Sequence, residues 1–278
     1  MSSSSLAALC ALGAMGLFGV AAVLQALATS RAGDVAVLDP RLLVRLARQP
    51  VFLLALTANL VGFALHLLAL QRLPLFLVQA VIAGSVAVTA VLSIRVFGVG
   101  LRRRQWGAVA LVVLGLLLLA PTATGEDRVE GGAGSALVLA LAVAVLLAVA
   151  TWVRHVPGPL GAVLLGLLAG AGFGVVALCG RLLPELGPDL LTSPFPYVLV
   201  VAGATAYFVY SAAMQRGTVT TATAAMVVTQ TVVPALAGLA LGDAVRSGFV
   251  PLAVAGFGLA LAGALGLARF EAPVVPAV

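Results

Sequence analysis

The chain has no lysine. All 15 basic residues are arginine and only nine residues are acidic, so charged side chains make up 9% of a 278-residue chain that is 63% apolar. A soluble globular chain carries roughly 25% charged residues. This composition cannot cover a soluble surface, so most of the chain must face lipid or other helices. The missing lysine reads as the mark of a GC-rich genome, without chemical meaning. The two cysteines, Cys10 and Cys179, lie inside apolar runs without ligand spacing and read as packing residues. The two histidines, His66 and His155, have no metal-ligand partners nearby in sequence. No nucleophile–base arrangement and no pair of buried carboxylates appears. Nothing therefore points to an enzyme, a metal site or a cofactor. A net charge of +6 would suit nucleic acid, but the arginines sit in short loops between apolar runs, where membrane orientation accounts for them better. No nucleic-acid partner is expected.

A spanning helix needs about 20 mostly apolar residues. Nine stretches qualify: Leu6–Ser30, Val51–Leu70, Pro74–Arg95, Gln105–Pro121, Ser135–Val153, Leu160–Leu183, Pro196–Met214, Val219–Leu241 and Phe249–Leu267. They are continuously apolar, whereas β-barrel strands would alternate. The expected class is an all-α membrane protein of about nine transmembrane helices. Ala26-Leu27-Ala28 resembles a signal cleavage site, but Met1–Ser5 has no basic residue and Arg31 follows a long apolar run. An uncleaved first helix fits better. Between the first two spans, residues 38–49 carry Arg41, Arg45 and Arg48 on one face and Leu42, Leu43 and Leu46 on another. Either an amphipathic helix on an anionic membrane surface or a solvated basic loop would produce this pattern. With the N-terminus outside, eleven arginines fall inside and four outside. Positive charge favours the cytoplasm. The expectation is a multi-pass protein of the cell (inner) membrane with its N-terminus outside and its C-terminus cytoplasmic.

The chain repeats itself. Leu70–Gly98 has a rough copy at Met214–Gly242, both with an early Gln-Arg pair, at Gln71-Arg72 and Gln215-Arg216. Phe18-Gly19-Val20 recurs as Phe173-Gly174-Val175. Spans one to four match spans six to nine, which assigns 1–121 to a first repeat, 134–153 to a connector helix, 158–269 to a second repeat and 270–278 to a cytoplasmic tail. Equivalent helices are five positions apart, an odd offset, so the halves enter the membrane in opposite directions. Such inverted-topology repeats recur in secondary transporters, with the substrate site between halves near the midplane.

The segments LALQRLP, VQAVIAGSVAVTAVLSIRVFG, LRRRQW and GAVALVVLGLLLL together resemble the repeat unit of the drug/metabolite transporter superfamily, its EamA-like units in particular. The second half matches again over Tyr207–Leu267. Nine helices with an outside N-terminus look more like the NIPA-type magnesium transporter branch. The resemblance implies a membrane transporter or facilitator of a small solute working by alternating access, with a divalent-cation carrier as one alternative. Such units commonly place an acid just after the apolar helix. Asp243 fills that place in the second half, but Val99 stands there in the first.

The candidate site residues are polar groups inside spans. His66 shares a second-span face with Asn59 and Gly62, and Tyr207 and Tyr210 fall opposite Phe63 and His66 in the repeat. The expectation is that His66 and Tyr210 approach one midplane zone from opposite halves. Gln79 in the third span and Gln230 in the eighth are placed to face a shared cavity. Pro234 removes a backbone donor and frees a carbonyl near Gln230, which marks a helix break or cavity wall. Substrate contacts are therefore expected from Asn59, His66, Gln79, Tyr207, Tyr210 and Gln230. Interhelical hydrogen bonding is the plainer role for any one of them. Gly166, Gly170 and Gly174 form a small-residue row that reads as a moving contact with the first span, as static packing, or as a homodimer contact. All acids lie in loops or at helix ends, so the interior is expected to be acid-free. That favours a neutral or amphiphilic metabolite or drug over Mg2+, which prefers carboxylate oxygens. A membrane scaffold without transport is the remaining alternative.

Overall fold

In a computed structural model, residues 3–32, 49–98, 100–122, 129, 131–153, 155–184, 189–214, 216 and 219–268 are described. The basic segment 38–48 and the tail 270–278 lie outside them. Nine helices long and apolar enough to cross a membrane run through the described residues. They are α1 (Ser3–Ala32), α2 (Pro50–Leu70), α3 (Leu75–Phe97), α4 (Arg103–Leu119), α5 (Ala133–Val153), α6 (Gly158–Arg181), α7 (Phe195–Met214), α8 (Val219–Ala240) and α9 (Val250–Ala268). The protein is thus an all-α membrane protein, and the observed limits fall within a few residues of those expected. Proline marks several starts, because its missing N–H is one the first turn leaves unpaired anyway. Pro50, Pro159, Pro196 and Pro251 all sit in first turns.

Lipid is as apolar as leucine, so helices gain little by burying leucine against each other. Close packing through small residues holds them together instead. The contacts made by glycines consequently report both the packing and the direction of each pair. Gly13 faces Leu65, while Gly62 faces Leu17 and Phe18, so α1 and α2 are antiparallel. Gly84 meets Met15 and Gly19 meets Val88, so α1 and α3 run parallel. In the second half, Gly172 meets Ala206 and Gly203 meets Val176, so α6 and α7 are antiparallel. Gly166, Gly170 and Gly174 meet Ala222, Met226 and Pro234 in order, so α6 and α8 run parallel. The first half's arrangement is therefore repeated in the second.

The halves meet through two equivalent pairs. Leu75 at the start of α3 lies against Gly238 near the end of α8, so these helices run in opposite directions. Gly115 packs on Gly256 and Ala260, and Gly263 packs on Ala108 and Val112, so α4 and α9 are also antiparallel. Equivalent helices of opposite direction are what an inverted 4+1+4 repeat requires. The connector α5 packs on α6 and α7.

The centre of the molecule is the first stretch of α3. Every residue from Leu75 to Ala83 is buried, and this stretch touches α1, α8 and α9. Outward faces of α2, α5 and α7 carry exposed Leu54, Leu60, Val138, Leu141, Val200 and Phe208, the apolar belt that lipid requires.

The expected break at Pro234 is not seen. α8 runs helically through this proline, and its ring packs over Gly174, where a Cβ would lie 3.1 Å from the proline Cδ. The packed ring helps hold the helix together despite the lost backbone bond. The irregularity lies in α3, where helical segments Leu75–Ala83 and Ser85–Phe97 join at Gly84. A side chain there would meet Met15 Sδ at 2.9 Å.

Candidate functional site

A buried pair of opposite charges lies at one end of the bundle, where α2, α6 and α8 finish and α3 begins. Arg181, the last residue of α6, is fully buried. Its Nη1 donates to the carbonyls of Leu70 at 2.8 Å and Leu73 at 3.2 Å. Its Nη2 donates to Asp243 Oδ1 at 3.0 Å. Asp243 Oδ2 accepts the backbone N–H of Leu75 at 2.5 Å. The partners are groups that helix ends leave over: a last-turn carbonyl of α2 and a first-turn amide of α3. One ion pair from the second half thus bonds both sides of the α2–α3 turn in the first.

Local chemistry brings Asp243 inward. Gly242 takes φ +96°, a conformation that favours glycine. The Asp243 N–H then returns to the Gly238 carbonyl at 2.9 Å, the six-to-one bond of a Schellman ending. Gly238 must also lack a side chain, because a Cβ there would crowd Asp243 Oδ2 and the Leu75 Cβ. The expectation of an acid-free interior is corrected here. Asp243 lies outside the helices by sequence, but the glycine turn folds its carboxylate into the core. Arg181, counted by sequence among the four outside arginines although the expected sixth span runs to Leu183, is sealed at its helix end.

One helical turn from this ion pair lie two buried polar side chains. His66 is four residues before Leu70, and Gln79 is four residues after Leu75. Since α2 and α3 are joined by a four-residue turn (71–74), both lie at a similar depth, roughly 6 Å below their helix ends. Gln79 is 2% exposed and its Nε2 has no hydrogen-bond partner. His66 is 7% exposed, its Nδ1 is likewise unpartnered, and its ring stacks on Phe63 at 6.4 Å between centroids, with Phe18 tilted against it at 6.3 Å. Buried polar atoms are nearly always satisfied, which makes the Gln79 Nε2 and the His66 Nδ1 candidate contacts for a ligand. On α8, Pro234 lies one turn from Gly238 and Gln230 one turn deeper, half-buried.

The other candidates do not converge on this place. Asn59 is exposed on the outer face of α2, and Tyr207 is 68% exposed on α7. Tyr210 is hydrogen-bonded to Thr223 Oγ1 at 2.5 Å within the second half. Inversion explains its distance from His66. Each residue is four positions from its helix's C-terminal end, but those ends face opposite sides of the membrane. The expected His66–Tyr210 pair is therefore not one site. Gly166, Gly170 and Gly174 pack on α8 of their own half. They form a close-packed seam there and not the expected contact with α1. Thr229 Oγ1 reinforces it with a 2.7 Å bond to the Leu167 carbonyl.

Geometry thus defines an integral membrane protein of two inverted halves, joined at one end by a buried ion pair. No family model, curated protein or solved structure matches the chain.

Proposed function

We propose that the protein is a secondary transporter or facilitator that moves a small neutral or amphiphilic metabolite or drug-like solute by alternating access. The solute would bind at the α3–α8 interface between halves, against Gln79, with His66 and Gln230 beside it. The observation that carries this reading is Gln79, whose amide nitrogen is buried without a partner on the central helix of an inverted repeat. Inverted repeats give transporters two equivalent conformations around a midplane site. The arginines also support an orientation in the cell membrane. Arg95, Arg102, Arg103, Arg104 and Arg216 lie at the end opposite the ion pair, and the positive-inside tendency makes that end cytoplasmic.

Donor chemistry argues against the divalent-cation alternative. Of the two acids among the described residues, Asp189 is exposed and Asp243 is committed to Arg181 and the Leu75 amide. Neither offers Mg2+ the free carboxylate it prefers. The test is uptake by the full chain in proteoliposomes, over a panel of neutral and amphiphilic solutes and Mg2+, with and without a pH gradient. The expected result is uptake of an organic solute, abolished by Gln79→Leu and retained in Asn59→Leu. Uptake of Mg2+ alone would replace this reading with the cation carrier. No uptake under any condition would leave a non-transporting membrane scaffold or partner subunit.

A further inference from the structure

We propose that Arg181 and Asp243 form the latch of a gate that closes one end of the interface between halves, and that the repeat does not duplicate this pair at its inverted partner positions. This rests on the transport reading above and adds where the path is held shut and by which atoms.

The first argument is location. All four bonds of the cluster join residues of different halves or lock the geometry of that joint: Arg181 to Leu70, Leu73 and Asp243, and Asp243 to Leu75. They cross the mouth directly above Gln79 and His66, the two unpartnered side chains one turn deeper. An opening from this end to Gln79 must part α6 and α8 from the α2–α3 turn, and the cluster is what spans that gap.

A second argument comes from the bonding groups. A permanent seal would be served as well by apolar side chains, since a buried ion pair loses to desolvation much of what it gains by attraction. An ion pair behaves differently once parted. Both charges, the α2 carbonyls and the α3 amide are all groups that water solvates well. The parted state therefore recovers hydration, where parted leucines would not. The Nε of Arg181 is buried without an acceptor even when the latch is closed, and hydration would satisfy it too. These features narrow the free-energy gap between closed and open, as a gate requires.

The third argument is the repeat. In the register that pairs Gly19 with Gly174, Arg181 falls opposite Ala26. In the register that pairs Gly98 with Gly242, Asp243 falls opposite Val99. The inverted partner positions, at the other end of the bundle, therefore carry no charge. The repeat thus does not duplicate this pair at the inverted partner positions, and the structure is closed at the end where the pair lies.

Two arms test this in the full chain. The first uses Cys179, which is fully buried two residues before Arg181 on α6, in a Cys10→Ala background. Arg181→Met with Asp243→Asn leaves the Leu70 and Leu73 carbonyls without their donor in the closed state, where only hydration on opening can satisfy them, and so should speed labelling of Cys179 by a membrane-impermeant maleimide about tenfold. The acceleration should come from one side of the membrane only, in protein that remains monodisperse. Unchanged labelling in folded double variant overturns the proposal. The second arm removes both native cysteines and introduces Leu70→Cys with Gly180→Cys, across α2 and α6, where a Cβ on Gly180 would lie 2.9 Å from Leu70 Cδ1. Forming this disulfide should stop uptake, and reductant should restore it. Undiminished uptake with the disulfide formed overturns the gate and leaves the transport reading standing. Absence of uptake in the wild type overturns that reading, while the labelling arm still decides whether the ion pair holds the halves closed.

Discussion

Replacing Asp243 with alanine should cost far more than replacing both members of its ion pair. The carboxylate is buried with Arg181, with side chains 0% and 1% exposed respectively. Removing it leaves a guanidinium sealed in a low-dielectric interior with only two carbonyls for partners, and leaves the Leu75 amide without its acceptor. Breaking a buried pair in this way costs about 3–5 kcal/mol. Arg181→Met should cost a similar amount, because it strands the carboxylate. The combined Arg181→Met and Asp243→Asn variant removes both charges and keeps an amide oxygen near Leu75, so its cost should fall to about 1–2 kcal/mol, on the scale of one or two lost hydrogen bonds. The double variant would then be more stable than either single one, a strongly non-additive cycle. Equilibrium unfolding in mixed micelles, read by steric trapping or by far-UV circular dichroism, measures each corner. Additive costs, or single variants within about 0.5 kcal/mol of wild type as for surface sites, would refute the placement of these charges in the interior.

Packing at the glycine seam makes further predictions. Gly170→Ala would set a Cβ within 2.1 Å of the Met226 carbonyl and Thr229 Oγ1, forcing α6 and α8 apart at about 1–3 kcal/mol. Gly258→Ala, with nothing within 4 Å, should be neutral in the same unfolding assay. Thr223→Val removes the partner of Tyr210 and should destabilise by about 0.6 kcal/mol, the usual size for a hydrogen bond between membrane helices. A reporter fused after Val278 should read as cytoplasmic, and an external reading would reverse the orientation drawn from the arginines.

Much of the architecture was legible because lipid imposes it. Continuous apolar runs of spanning length leave helix as the main solution, and the odd offset of five between repeat mates already implied that α3 and α8 oppose one another. The site was less legible. Gln79 was readable because an amide in a long apolar run stands out against its neighbours. Asn59 and Tyr207 stood out in the same way yet face outward, since helical spacing gives a shared face without saying what that face meets. Arg181 and Asp243 went unread as a pair because 62 residues separate them and each was read only as a charge at a span end. One signal was present: Asp243 follows directly on Gly242, the residue type that turns a helix end back on itself. Pro234 misled for a related reason. Its missing donor predicts a break, but the surface of Gly174 that receives its ring belongs to another helix.

The account depends most on the α3–α8 interface opening to each side in turn. A single cysteine in place of Gln79, in a chain lacking Cys10 and Cys179, reports this directly in vesicles of one orientation. Alternating access predicts that an impermeant thiol reagent modifies Gln79→Cys from either face, and that the transported solute slows both reactions. A cysteine that stays unmodified from both faces in folded protein would contradict the account, because a permanently sealed interface can hold a bundle together but cannot carry anything through it.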